Sequence, residues 1–317
     1  MSANNTYDVI IIGAGPAGLT AGLYCKRAAL NAVLVEKGLI GGQIAISKDV
    51  ENYPGMEGIT GFDLAEKLHH HTQSYNLPVI QQAVAEITPG SDLHLVRLEN
   101  GDTLKAAALI LAVGGSVKKL GIPGEADYLG TGVSYCATCD GFFFRNKSVV
   151  VIGGGDTAVE EALYLSKIAE SVRLIHRGSS LRASRILQER LFNEPRIKVI
   201  WDTIAAAIKG DASGVTAVSI ENVKTGAKED LQTDGVFIFV GYLPNNELIP
   251  ASVQMDERGF VITDDKCATT VPGIFAAGDL RKKFANQIVV AAADGCIAAL
   301  ASAHYVELHK TRAENNG

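Results

Sequence analysis

Two stretches decide the fold: YDVIIIGAGPAG at residues 7–18 and SVVVIGGGDTA at residues 148–158. In the first, residues 7–12 read as a mostly β-branched run, the pattern of a strand buried on both faces of a parallel sheet. The run passes directly into the turn Gly13-Ala14-Gly15-Pro16-Ala17-Gly18, which opens a helix predicted over residues 16–29. A second strand, 32–35, leads to Glu36. Strand, glycine-rich turn, helix, strand and terminal acid is the order that a dinucleotide-binding unit needs.

The same grammar returns with the strand 148–152, the turn Gly153-Gly154-Gly155-Asp156-Thr157-Ala158, a helix to about residue 169 and a strand over 171–175. Gly18 to Glu36 and Ala158 to His176 are both separations of 18 positions, so Glu36 and His176 occupy equivalent slots. A lone G-x-G-x-x-G would suit any strand-turn-helix that needs a positive φ. Here the flanking elements agree as well, and two nucleotide sites are expected.

The two slots differ in charge. Glycines in the first turn let backbone approach a pyrophosphate, and the helix N-terminus offers it unpaired N–H groups. Glu36 suits ribose hydroxyls and repels a 2′-phosphate, so the first site is expected to take FAD or NAD. In the second unit His176 fills that slot, with Arg177 beside it and Arg182 a few residues on. Arginine matches phosphate with a planar, permanently charged fork, which points to NADPH. The bland alternative is a solvated basic loop at a strand end.

Between the two units lies Ser134-Tyr135-Cys136-Ala137-Thr138-Cys139-Asp140-Gly141. Thiols at this spacing can close a readily reduced disulfide, one of them with a lowered pKa. A zinc site would need a second ligand pair, and none stands at metal spacing. Asp140 supplies a proton donor and acceptor next to Cys139. Cys25, Cys267 and Cys296 are isolated and read as small buried hydrophobes. His69-His70-His71 reads as a solvated helix face rather than a metal site. Late in the chain, residues 273–279 form another strand running into Gly278 and Asp279, followed by an alanine-rich helix over 287–303.

The chain's 317 residues, 47% hydrophobic and 20% charged, suffice for two domains with separate cores. The 33 glycines fit an α/β protein with many tight strand-to-helix turns. A net charge of -6 and the absence of a basic run remove the usual electrostatic reason to bind nucleic acid. The polar first residues carry no signal-peptide pattern, and Asp294 interrupts the longest apolar stretch, 289–303, so no membrane span and a cytoplasmic location are expected.

With both fingerprints, Cys136-Ala-Thr-Cys139-Asp140 and the late Gly278-Asp279 segment in this order, the chain resembles the low-molecular-weight, bacterial-type thioredoxin reductases along nearly its whole length. Gly41-Gly42-Gln43 and Glu51-Asn52-Tyr53-Pro54-Gly55 resemble the family's flavin-contacting segments. The resemblance also implies that Asp279 meets FAD and that Gln287 and Ile288 lie near the flavin ring. It implies two Rossmann-like domains: a discontinuous FAD domain, 1–117 with 248–317, and an inserted NADPH domain, 118–247, carrying the cysteines. The linkers 114–122 and 241–248 are the expected hinges for a domain rotation.

In that family NADPH reduces FAD, Cys139 faces the flavin, Asp140 handles its proton, and Cys136 exchanges with thioredoxin. The resemblance further implies a homodimer, no metal, and a docking role for part of Phe142-Phe143-Phe144, for which core packing is the alternative. Two departures stand out. The family's His-Arg-Arg becomes His176-Arg177-Gly178, and the Arg before the flavin-site Gln becomes Asn286. Rival readings on the same fold are a dithiol oxidase, a reductase fed by NADH or a ferredoxin-type carrier, and a flavin-binding redox sensor.

Overall fold

The computed structural model describes residues 5–47, 50 and 52–315. The polar start, residues 1–4, and Glu51 of the expected flavin-contacting segment lie outside them. The chain divides into two compact units, one built from residues up to Ser116 and from Leu243 onward, the other from Val117–Tyr242. Both are Rossmann-like α/β units, and the second is inserted into the first.

The first unit begins β1 (Thr6–Ile12), α1 (Pro16–Arg27), β2 (Ala32–Glu36) and α2 (Gly61–Gln73). It continues through β3 (Val79–Gln81), β4 (Val84–Thr88), β5 (His94–Leu98) and β6 (Thr103–Leu111), and the chain leaves it within β7 (Gly115–Val117). Its main sheet runs in the order β3-β2-β1-β6-β5-β4. Along β1, Val9 and Ile11 enter one core cluster and Ile10 and Ile12 another. The strand is therefore covered on both faces, as a continuous apolar run requires. Burying each such side chain contributes about 1.5–3 kcal/mol.

The second unit carries β8 (Val133–Ser134), α3 (Ala137–Asp140), β9 (Ser148–Gly153), α4 (Asp156–Leu165), β10 (Ser171–Ile175), α5 (Arg185–Phe192) and β11 (Ile197–Ile200). The antiparallel strands β12 (Thr203–Asp211), β13 (Gly214–Asn222) and β14 (Lys228–Gln232) come next, then β15 (Gly235–Phe239) and the return strand β16 (Tyr242–Pro244). The parallel sheet β11-β10-β9-β15-β8 is helix-covered on one face, where Val149 and Val151 pack with Ala158, Ala162 and Leu187. On the other face Val150 and Ile152 pack with Ile208, Val218 and Ile220 of the antiparallel sheet.

Back in the first unit, β17 (Ile274–Ala276) pairs with the C-terminal half of β6, whose N-terminal half pairs with β5. The last helix, α6 (Ile288–Asn315), runs well past the expected end near residue 303. One expectation is corrected here: Asp294 does not break α6, and residues 288–311 are long and apolar enough to cross a bilayer by length and composition. The aspartate is tolerated because it is buried and paired, with Arg281 Nη1 at 2.6 Å and Lys283 Nζ at 3.4 Å. Next to it Gly295 packs so tightly on α1 that a Cβ there would lie 2.1 Å from the Ala17 carbonyl oxygen. These contacts are those of a core helix packed within its own unit.

Candidate active site

The two glycine turns are built alike. In the first, Ile12 pairs with Val35, one residue before Glu36, and in the second Ile152 pairs with Ile175, one residue before His176. The N-caps of α1 and α4, Gly15 and Gly155, share an extended conformation (φ -72° and -93°, ψ -178° in both) and neither receives a side-chain cap. A Cβ on either would meet nothing within 4 Å. Each helix thus begins on uncapped N–H groups facing open space, a cradle that fits the pyrophosphate of a dinucleotide.

Around the first cradle the structure gathers residues that are distant in sequence. Gly13 holds φ +105° with its Cα against Ala112, and Gly18 lies so close to the Gly13 carbonyl that only glycine fits. Pro16 starts α1, where its missing N–H costs nothing, and Ala17 faces Gly278. The Gly41-Gly42-Gln43 turn comes up to the same place, since a Cβ on Gly42 would lie 3.3 Å from the Gly15 Cα. Asn52 donates to Gln287 Oε1 at 3.1 Å, and Ile288, like Tyr53 and Met56, packs against the small cluster of Ile44, Ile59 and Leu64. Asp279 is held by Lys283 Nζ at 2.9 Å. Glu36 accepts from Ala14 N and Gly38 N, both at 2.6 Å, which ties the end of β2 to the turn.

The second turn has a different tie. His176 is buried, with Nδ1 2.8 Å from the Gly153 carbonyl and Nε2 2.9 Å from the Ser180 carbonyl. Its ring packs on Gly154, where a Cβ would be 2.1 Å away. Arg182 N donates to the Gly154 carbonyl and Asp156 accepts from Ser184 N, so the 177–184 loop is laced to the turn. Arg177 and Arg182 remain exposed at its rim, as does Thr157, while Ala158 is buried.

Cys136 and Cys139 form a disulfide with Cα atoms 5.3 Å apart, at the start of α3. Ser134, buried, organises them: its Oγ accepts from Cys136 N at 3.0 Å and donates to Asp140 Oδ2 at 2.5 Å. Beside it, burial raises the Tyr135 hydroxyl, and so does donation to Glu125. Phe144 is core, whereas Phe142 and Phe143 are exposed at 56% and 42%, so the aromatic run divides between packing and surface. Burial pushes the Cys25 thiol up to about 12 and Cys267 up to about 11, which leaves both protonated and inert at neutral pH. Cys296 is only partly covered, so it departs from the expected burial. Among the described residues no group of histidine, cysteine and acid could hold a metal, and His70 and His71 lie exposed on α2.

A disulfide beside one of two dinucleotide folds is the layout of one enzyme class. The family model for pyridine nucleotide-disulphide oxidoreductases matches residues 7–295. The chain belongs to that family. The family implies that a flavin and a nicotinamide nucleotide serve as its working groups. The thioredoxin reductase of Bacillus subtilis (strain 168) is 44% identical over 97% of each chain. That of Helicobacter pylori (strain J99) is 45% identical over 95% of this chain and 99% of its own. The crystal structure of thioredoxin reductase from Streptococcus pyogenes MGAS5005 is 43% identical, with a TM-score of 0.92 over 96% of this chain and 99% of that one.

Sequence reading gave no role to Ser134 or to the acid pair Glu160-Glu161. A serine two positions before the first cysteine is the signal that could have found Ser134; nothing in the sequence marks either glutamate.

Proposed function

We propose that the chain is an FAD-containing, NADPH-dependent thioredoxin-disulfide reductase. The observation that carries the reading is the Cys136–Cys139 disulfide mounted in the same unit as the second glycine turn, with a proton-handling Asp140–Ser134 pair behind it. In the first unit FAD would be held by Gly13, Gly15, Pro16, Ala17, Gly18, Glu36, the 41–43 turn, Asn52, Gly278, Asp279, Gln287 and Ile288. The uncapped α1 N-terminus and the open face of Gly15 support that fit. A bound flavin supplies two-electron chemistry that couples a nicotinamide to a disulfide.

In the second unit Gly153, Gly155, Asp156, Thr157, Ala158 and His176 shape the nucleotide turn, and Arg177 and Arg182 are the candidates for a 2′-phosphate. Gly178 removes one guanidinium from that set, which lowers but does not abolish the preference for NADPH.

Once the pair is reduced, the Cys136 thiolate attacks one sulfur of the thioredoxin disulfide, forming a mixed disulfide and expelling the other sulfur as thiolate. Cys139 then attacks Cys136 Sγ, which releases dithiol thioredoxin and restores the Cys136–Cys139 bond. Asp140 holds and returns the proton of Cys139, with Ser134 fixing its orientation. The exposed Val289, Ile297, Leu300 and Leu308 along α6 support a homodimer, and an NADPH-fed thiol cycle suits the cytoplasm. The test is a coupled assay of NADPH oxidation with thioredoxin and a disulfide dye. Turnover that depends on both thioredoxin and Cys136 is expected, and NADPH oxidation independent of thioredoxin would overturn the reading.

A further inference from the structure

Asp294 of α6 is a buried carboxylate with partners from three other residues. Its Oδ1 accepts from Arg281 Nη1 at 2.6 Å, and its Oδ2 accepts from Gly278 N at 3.1 Å and from Lys283 Nζ at 3.4 Å. The Lys283 side chain is only 8% exposed, and its Nζ makes a second ion pair, with Asp279 Oδ1 at 2.9 Å. That carboxylate oxygen is covered from solvent. Because Gly278 and Asp279 are consecutive, these contacts close a ring: Gly278 N, Asp294 Oδ2, Lys283 Nζ, Asp279 Oδ1 and back along the chain. Arg281 braces the ring from its other side, donating to Thr263 Oγ1 at 2.9 Å and to the Asp264 carbonyl at 3.2 Å.

The ring adjoins the first cradle. Gly278 holds φ +72°, and a Cβ on it would lie 3.0 Å from the Ala17 Cβ, in the first turn of α1. Gly295, next to Asp294, presses on the Ala17 carbonyl oxygen of the same turn. A carboxylate with a covered oxygen keeps a fixed direction at tolerable cost only beside a cation. The two cations divide the work: Arg281 reaches Asp294 Oδ1, and Lys283 reaches both Asp294 Oδ2 and Asp279. Without the lysine, two acids would share this corner with one guanidinium, and their repulsion would turn Asp279 away from Asp294.

We propose that Lys283 is a positioning residue for flavin binding: anchored on Asp294, it holds the Asp279 carboxylate in place and so sets how tightly the first unit retains FAD. The proposal rests on that unit being the flavin site of the proposed reductase. Lys283 acts through Asp279, and no electron or proton transfer is assigned to it.

The experiment measures flavin release from the full-length, FAD-loaded protein. Each sample is diluted at room temperature and the rise of free-FAD fluorescence gives the release rate, with circular dichroism confirming that the variant is folded. Lys283→Met is expected to release FAD about tenfold faster than wild type, the effect of losing one charge-assisted contact. Asp279→Asn is expected to release it faster as well. The double variant Lys283→Met/Asp279→Asn is expected to be no faster than Asp279→Asn, because the lysine has then lost the group it positions. A lysine with a purely structural role would add its own increment in both backgrounds. A wild-type rate in Lys283→Met, or any further acceleration in the Asp279→Asn background, overturns the proposal. If Lys283→Met alone does not fold, the double variant, which removes one charge of each sign, decides by the same comparison with Asp279→Asn. Wild-type protein that takes up no flavin would overturn the reductase reading and this role with it, whereas yellow wild type with an unmoved variant overturns only the role of Lys283.

Discussion

Glu36 and His176 sit at the same register position of two equivalent units and do opposite chemistry. Glu36 collects N–H groups, from Ala14 and Gly38, whereas His176 collects carbonyls, from Gly153 and Ser180. Each sews the end of a strand to the glycine turn beside it, so either one serves the fold. Their surroundings separate them: a carboxylate at the rim of the first turn, and a buried ring with two exposed arginines beyond it in the second. A repeated scaffold is thus fixed by apolar strands and glycines, and one slot with its next few residues sets which nucleotide each copy suits.

That contrast can be broken most severely at the glycines. Gly13→Val places a Cβ 2.4 Å from the Ala112 carbonyl oxygen at φ +105°, and a loss of more than about 3 kcal/mol is expected, giving insoluble or colourless protein; absorbance of the flavin and a melting curve check it. Gly154→Ala strikes the His176 ring, which two hydrogen bonds hold in place. Here the protein is expected to stay yellow and to be bleached by dithionite, while reduction by NADPH slows at least about a hundredfold, equivalent to ~2.7 kcal/mol. Equal damage from NADPH and dithionite would erase the distinction between the turns.

The arginines sharpen the comparison. Removing one charge-assisted hydrogen bond costs about 1.5–3 kcal/mol, so Arg177→Gln is expected to raise KM for NADPH about tenfold or more with little change for NADH. Gly178→Arg restores the missing guanidinium. Its Cβ would sit 3.3 Å from His176 Nε2, a contact relieved by a small shift, and a gain of about tenfold in the NADPH to NADH ratio of kcat/KM is expected. An unchanged ratio in both variants would remove the second slot from nucleotide choice.

Both glycine units were legible because a β-branched run entering G-x-G-x-x-G constrains strand, turn and helix together. Residues 7–12, 16–29 and 32–35 were expected, and Thr6–Ile12, Pro16–Arg27 and Ala32–Glu36 are observed. The register equivalence of Glu36 and His176 came from spacing alone. The end of α6 did not, since beyond residue 303 the sequence turns polar but keeps good helix formers and has no glycine or proline until Gly317. Asp294 read as an interruption because its partners, Arg281 and Lys283, arrive from outside the helix.

Contacts such as Gly42 on Gly15, or Asn52 to Gln287, join segments whose own patterns are turn-rich and carry no periodicity. Glu161 was invisible for another reason. Two acids in a row on a helix read as a solvated face, and only the packing of α3 on α4 separates the partly buried Glu161 from the exposed Glu160.

Every role assigned to the two units requires electrons from a nicotinamide to reach the sulfurs of Cys136 and Cys139. Anaerobic addition of excess NADPH to the purified yellow protein, and then denaturing thiol titration, tests this directly. The expected result is a bleached flavin and two more titratable thiols than in the oxidised protein, both lost in Cys136→Ser/Cys139→Ser, since the remaining cysteines are free in both states. A flavin that bleaches with no gain of thiols, or a thiol gain that survives the double substitution, would contradict it.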